Sequence, residues 1–210
     1  MRPSIIEIGR IYCQFMEEIK ARTETVFEFA NGLRDMNDER VHRHNIFIFE
    51  GLYLHLRKIC ELLAISALLI HNCDDLENPI GKMDEYAADK LINMVEKINV
   101  NGFPKPVSTG SINEEDKTIF LSDAAYIFNG DDLKSLYRIC GDIMRVGHLK
   151  DILRYKQREL IKDFVIQWCH KLIQGLGTHA IGFPDGERYL FVVMQTPDFP
   201  NVTCRLLTKE

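Results

Sequence analysis

The sequence predicts a mainly α fold: a multi-helix bundle around a long buried central helix, with a small C-terminal three-stranded antiparallel β-meander. Three observations predict it. Apolar residues recur at steps of three and four along most of the chain up to Leu176. From Ile46 to Ile70 they cover nearly every face, as they do in a helix wrapped by other helices. After Gly177 the rhythm changes to short β-branched and aromatic runs divided by turn residues. The expected organisation is one structural unit, a helical bundle over 1–176 with the meander of 177–210 packed on it as an appendage.

The first helix opens with Ser4 and Glu7 in capping-box spacing. Ile5, Ile8, Tyr12, Phe15, Ile19, Val26 and Phe29 form its apolar face, and Asn31-Gly32 reads as a left-handed stop. A second helix runs from about Asp38 to Asn72 and is the core helix. Asp84 is placed to cap a third, which reaches Ile98. From Asn99 to about Phe120 the periodicity vanishes among Gly102, Pro104, Pro106 and Gly110, so a long surface loop is expected there. A short helix is expected over Asp123–Phe128, ending at Asn129-Gly130. Asp131 or Asp132 then caps a helix carrying Leu133, Leu136, Tyr137, Cys140, Ile143 and Met144 inward, with a break at Gly147. A last long helix spans Leu149 to Ile173, with Gly175 and Gly177 ending it. Strands follow at Thr178–Phe183, Glu187–Gln195 and Asn201–Thr208, with Pro184-Asp185-Gly186 as the first turn.

Composition limits the function classes. A chain of 210 residues with 46% hydrophobic and 27% charged residues buries a sizeable core without disulfides or metals. Its formal charge of −5 opposes non-specific attachment to nucleic-acid backbones, although a local basic patch is compatible with it. The six cysteines are scattered without a Cys-x-x-Cys pair, and Met1-Arg2-Pro3-Ser4 has no signal-peptide character. A reducing, cytoplasmic setting is expected. The apolar run to Ile70 carries Glu50, His55, Arg57, Lys58 and Glu61, charges that argue against a membrane span.

Motifs for chemistry are sparse. Glu39-Arg40-Val41-His42 is one Glu-x-x-His step, whereas a di-iron bundle needs two such steps and further glutamates. No metal ligand set and no cofactor is expected. No nucleophile elbow, Walker loop or dinucleotide fingerprint is present, and the adjacent Cys169 and His170 diverge on a helix. What stands out is charge inside apolar helices. Arg57 and Glu61 lie one turn apart, as do Arg138 and Asp142, and Arg145 and His148 follow. Charges so placed need partners, so a polar cluster between the two helices is expected.

Leu56-Arg57-Lys58-Ile59-Cys60-Glu61, taken with Leu136-Tyr137-Arg138-Ile139-Cys140-Gly141-Asp142, resembles uncharacterised bacterial helical proteins of the HEPN-like type. The resemblance covers roughly residues 46–175. It implies long antiparallel helices, homodimerisation and an RNA-directed role in toxin or defence systems, either active or catalytically lapsed. In that family an arginine is followed on the same helix by a polar neighbour and a histidine. Here Ile139 follows Arg138, and His148 lies beyond Gly147. The resemblance assigns Arg138 and His148 to metal-independent RNA cleavage, with Arg57, Glu61, Tyr137 and Arg145 as binding residues. The imidazole would move the proton and the guanidinium would hold the phosphate.

Two other readings compete. A non-enzymatic protein-interaction or regulatory module is suggested by the 99–120 loop with its Phe103-Pro104-Lys105-Pro106 segment. A small-ligand site between bundle and meander would use His179, Tyr189 and Phe191.

Overall fold

The computed structural model describes residues 4–33, 39–71, 88–98, 102–113, 118–125, 127–145 and 155–209. Among them are five helices: α1 (Ile5–Asn31), α2 (Glu39–His71), α3 (Ala88–Ile98), α4 (Gly130–Ile143) and α5 (Tyr155–Leu176). Five strands complete the fold: β1 (Lys105–Asn113), β2 (Thr118–Asp123), β3 (Thr178–Gly182), β4 (Arg188–Val193) and β5 (Thr203–Thr208). The mainly helical class with an antiparallel sheet is as expected. The sheet is larger than expected, five strands in the order β2-β1-β3-β4-β5 with every neighbouring pair antiparallel.

Local chemistry explains the helix starts. Glu7 N–H donates to Ser4 Oγ at 3.3 Å and Ser4 N–H donates to the Glu7 carboxylate at 2.6 Å, so the capping box forms. At α4 the cap is Asn129 rather than either aspartate. Its side chain accepts from Asp132 N–H while Asp132 accepts from Asn129 N–H, both at 3.0 Å. An amide can take this place because its oxygen accepts as well as a carboxylate does. Gly32 leaves α1 at φ −76°, in the right-handed region and not the left-handed one expected. Its N–H continues the helical pattern by donating to Glu28 and Phe29 carbonyls. The expected cap Asp84 and the break at Gly147 lie outside the described residues.

The core is centred on α2, which packs against α1, α3 and α4. Phe49, Leu52, Leu56, Ile59 and Leu63 are fully buried along it, and Tyr12, Met16 and Ile19 of α1 meet the same cluster. Each such apolar side chain contributes roughly 1.5–3 kcal/mol through burial. Apolar residues all round α2 therefore reflect helices on several sides. No described helix is long and apolar enough to cross a membrane.

Three expectations are corrected by the structure. The stretch read as a loop contains the hairpin of β1 and β2, which pairs Val107 with Asp123 and Asn113 with Thr118 across an irregular register. Glycine, serine and charge in this hairpin dilute the alternation by which a strand is recognised. The short helix expected at Asp123–Phe128 does not form, since Asp123 ends β2 and the following described residues are non-helical. Gly175 lies inside α5, which continues to Leu176 before Gly177 ends it. A Cβ at Gly175 would sit 2.5 Å from the Phe128 ring, so the bare backbone is what lets that ring pack on the helix.

One face of the sheet lies on α1. His179 pairs with Val192, which pairs with Cys204, and Ile181 pairs with Leu190, which pairs with Leu206. Directly opposed residues of antiparallel strands share a face. Tyr12 reaches His179, and Leu190 lies beside Gly9. The turn between β3 and β4 forms as expected, with Gly186 at φ +72° and Asp185 accepting from Glu187 and Arg188 N–H at 3.0 Å.

Candidate functional site

The clearest concave surface among the described residues that carries convergent polar side chains lies between α2, α3 and α4. It encloses about 540 Å³ and is lined by Arg57 of α2, Asp89 and Asn93 of α3, and Asp131, Lys134, Ser135, Tyr137, Arg138, Gly141, Asp142 and Arg145 along and just after α4. Helical geometry explains the α4 contribution. Positions 131, 134, 138, 142 and 145 recur at three- and four-residue steps and so form one stripe. Leu133, Leu136 and Cys140 occupy the opposite, buried face.

Arg57 ties the groove together. Its Nη2 donates to Tyr137 Oη at 2.9 Å and its Nε to Glu61 at 3.2 Å, while its guanidinium lies 4.8 Å from the centre of the Tyr137 ring. A cation over a ring at a partly exposed site contributes roughly 0.5–1 kcal/mol. Glu61 also accepts from Lys58 at 2.6 Å. Desolvation disfavours the Arg57 charge, but the bonds to Glu61 and Tyr137 outweigh it and hold its pKa above the usual value. At the other end Lys134 bridges helices, contacting Asp131 at 2.7 Å and Glu96 of α3 at 3.0 Å. Those hydrogen bonds, Asp131's first, raise its pKa.

The structure therefore gathers Arg57, Tyr137, Arg138 and Arg145 in one groove, with Glu61 beside it as the anchor of Arg57. His148 lies outside the described residues. The expected polar cluster forms only in part, and Arg138 is not in it. Arg138 is exposed and makes no ion pair among the described residues, whereas Asp142 turns to Arg145 at 3.6 Å. Both members of that pair are largely exposed, which limits its strength to about 0–1 kcal/mol. Sequence reasoning missed Asp89, Asn93, Asp131 and Lys134. The three-residue step from Asp131 to Lys134 and on to Tyr137 was the available signal for α4, but nothing local links α3 to it.

His179, Tyr189 and Phe191 are not brought together into one small-ligand site between bundle and sheet. His179 is fully buried on the face toward α1, where Nε2 meets Tyr12 Oη at 2.9 Å and Nδ1 meets the Leu176 carbonyl at 2.7 Å. The carbonyl can only accept, so Nδ1 carries the proton and Tyr12 donates to Nε2. Burial lowers the His179 pKa to about 4, against the opposing effect of the Leu176 bond. Phe191 pairs with Ala180, and Tyr189 with Gly182, so both project from the other face of the sheet. The Phe103-Pro104 segment is buried, and Phe103 joins the core instead of forming an exposed binding loop. No group of three His, Cys, Asp or Glu side chains among the described residues is arranged to hold a metal ion. Comparison of the chain with protein-family models, with curated proteins and with solved structures finds no significant match.

Proposed function

We propose that this chain is a non-enzymatic interaction module that binds a charged polypeptide segment of a partner protein in the groove of α2, α3 and α4. The observation that carries this reading is the mixture of charge in the groove. Arg57, Lys134, Arg138 and Arg145 share it with Asp89, Asp131 and Asp142. A nucleic-acid backbone asks for successive cations, and here it would meet carboxylates between them. A protein segment bearing both signs matches such a surface and gains register from it. Arg138, exposed and without an ion pair among the described residues, can take a partner's carboxylate in a bidentate pair.

An RNA-directed role of the HEPN-like kind, lapsed or active, is the second reading. It is favoured by the exposed Arg138 standing next to Tyr137, since arginines and aromatic rings hold phosphates and bases. Cleavage would add His148 as proton carrier and Arg145 as a second charge on the phosphate.

One comparison separates them. Purified wild type and Arg138→Glu are used to capture partners from lysate, with and without ribonuclease, beside fluorescence anisotropy on labelled single-stranded RNA in EDTA. A protein partner retained after ribonuclease and weakened at least about tenfold by Arg138→Glu, the size expected of an interface arginine, supports the module. RNA binding that Arg138→Glu removes, without a protein partner, transfers the function to the second reading. Metal-independent cleavage of the RNA would overturn the non-enzymatic assignment.

A further inference from the structure

Away from the groove, Cys13 of α1 and Cys204 of β5 face each other. We propose that these two thiols form a peroxide-responsive site, in which a reversible Cys13–Cys204 disulfide staples the edge strand β5 to α1. The geometry is built by both elements. Cys204 is on the face of β5 that looks toward α1, in line with Val192 and His179. Its Sγ donates to the Gly9 carbonyl at 3.4 Å, one helical turn before Cys13 on the same side of α1, so the β5 thiol lies against the stretch of helix that carries Cys13. The approach to β5 is held in place on the same helix. Val202 N–H donates to the Glu17 carboxylate and Lys20 Nζ donates to the Pro200 carbonyl, both at 2.5 Å. Both residues are partly exposed, which leaves a small oxidant a route to them, whereas Cys60, Cys140 and Cys169 are buried in the core.

The surroundings choose the attacking sulfur. The hydrogen bond to Cys204, then burial and the nearby Glu17 carboxylate push the Cys13 thiol up. The bond from Cys13 lowers the Cys204 thiol. Burial holds Cys140 and Cys169 near 12, where the reactive thiolate is scarce. The Cys204 thiolate attacks hydrogen peroxide, forming an S–O bond and breaking the O–O bond. The departing hydroxide takes up the proton released by the thiol. Cys13 then attacks the Cys204 sulfur, its proton leaves with the hydroxyl as a second water, and the S–S bond closes. Two thiols and one peroxide give one disulfide and two waters, with two electrons passed to the peroxide.

The test uses the full chain carrying Cys73→Ser, so that the one cysteine outside the described residues takes no part. After stoichiometric peroxide, peptide mapping should recover a Cys13–Cys204 peptide two hydrogens lighter than its parts. Cys204→Ser and Cys13→Ser should lack it, and dithiothreitol should reverse it. Because the cross-link closes almost the whole chain, oxidation should raise Tm by roughly 5–15 °C, and not in either serine variant. The two serine variants, isosteric at half-buried positions, should keep the reduced Tm, which guards against misfolding. Sulfinic acid accumulating on Cys204 without the linkage, both thiols persisting unreacted, or linkage without a rise in Tm would each overturn the proposal.

Discussion

At the scale of single residues, His179 is held on every side. Its two nitrogens are used, one on a carbonyl and the other on the Tyr12 hydroxyl, with no exposure to solvent. Its pKa falls from 6.5 in the unfolded chain to about 4 in the fold, because burial opposes the imidazolium. Between those values the unfolded state binds more protons, so stability rises with pH across the window. The contribution is complete above the unfolded value and is lost as pH falls toward about 4, amounting to roughly 3 kcal/mol. His71, lowered by burial at the end of α2, acts with the same sign. Urea titrations from neutral to acid pH should show that decline, and an NMR titration should find one imidazole neutral until the pH approaches 4. A full set of histidines titrating near 6.5 would refute the arrangement. Neither Tyr12 nor Cys13 could be paired with its partner from sequence, because no local pattern connects a helix face to a strand far along the chain.

At the scale of elements, α5 illustrates how a helix can keep a poor helix former. Glycine in a helix interior costs about 1 kcal/mol relative to alanine. Gly175 nevertheless fits, since Phe128 fills the space where a Cβ would stand and is itself only 5% exposed. Gly175→Ala should therefore destabilise by about 1–2 kcal/mol despite its better propensity, through overpacking against the ring. Combining it with Phe128→Leu should return part of that loss in a denaturation cycle. A gain in stability from Gly175→Ala alone would show that the ring yields freely. The same logic accounts for where α5 ends: by sequence Gly175 reads as a stop, but packing against Phe128 makes it an interior position and the helix continues to Leu176. Asn129 at the start of α4 shows the converse: its amide is a good cap, while Asp131 and Asp132 compete for the role in the sequence alone.

For the whole molecule, the sheet is a component of the core and not a free attachment. Phe103, just before β1, is 4% exposed within the main cluster, while Phe199, in the connection to β5, is 65% exposed. Phe103→Ala should cost about 3–5 kcal/mol in chemical denaturation, and Phe199→Ala less than about 0.5 kcal/mol. Equal losses would mean that the hairpin segment is not integrated as described. The groove belongs to this scale too, since its lining comes from α2, α3 and α4, elements separated by long stretches of sequence.

The sequence by itself determined the helical class, the central position of α2, the capping box at Ser4 and the change to strands after Gly177. These depend on periodicity and on hydrogen bonds between near neighbours, which residue order contains directly. It also brought Arg57, Tyr137, Arg138 and Arg145 forward as charged or polar positions on apolar helices. Only the tertiary structure decided that Arg57 donates to Glu61 and Tyr137 while Arg138 makes no ion pair among the described residues, that three aspartates share their groove, and that β1 and β2 extend the sheet. Those outcomes depend on which distant surfaces meet, and burial and pairing across such contacts are properties of the packed chain that no local pattern encodes.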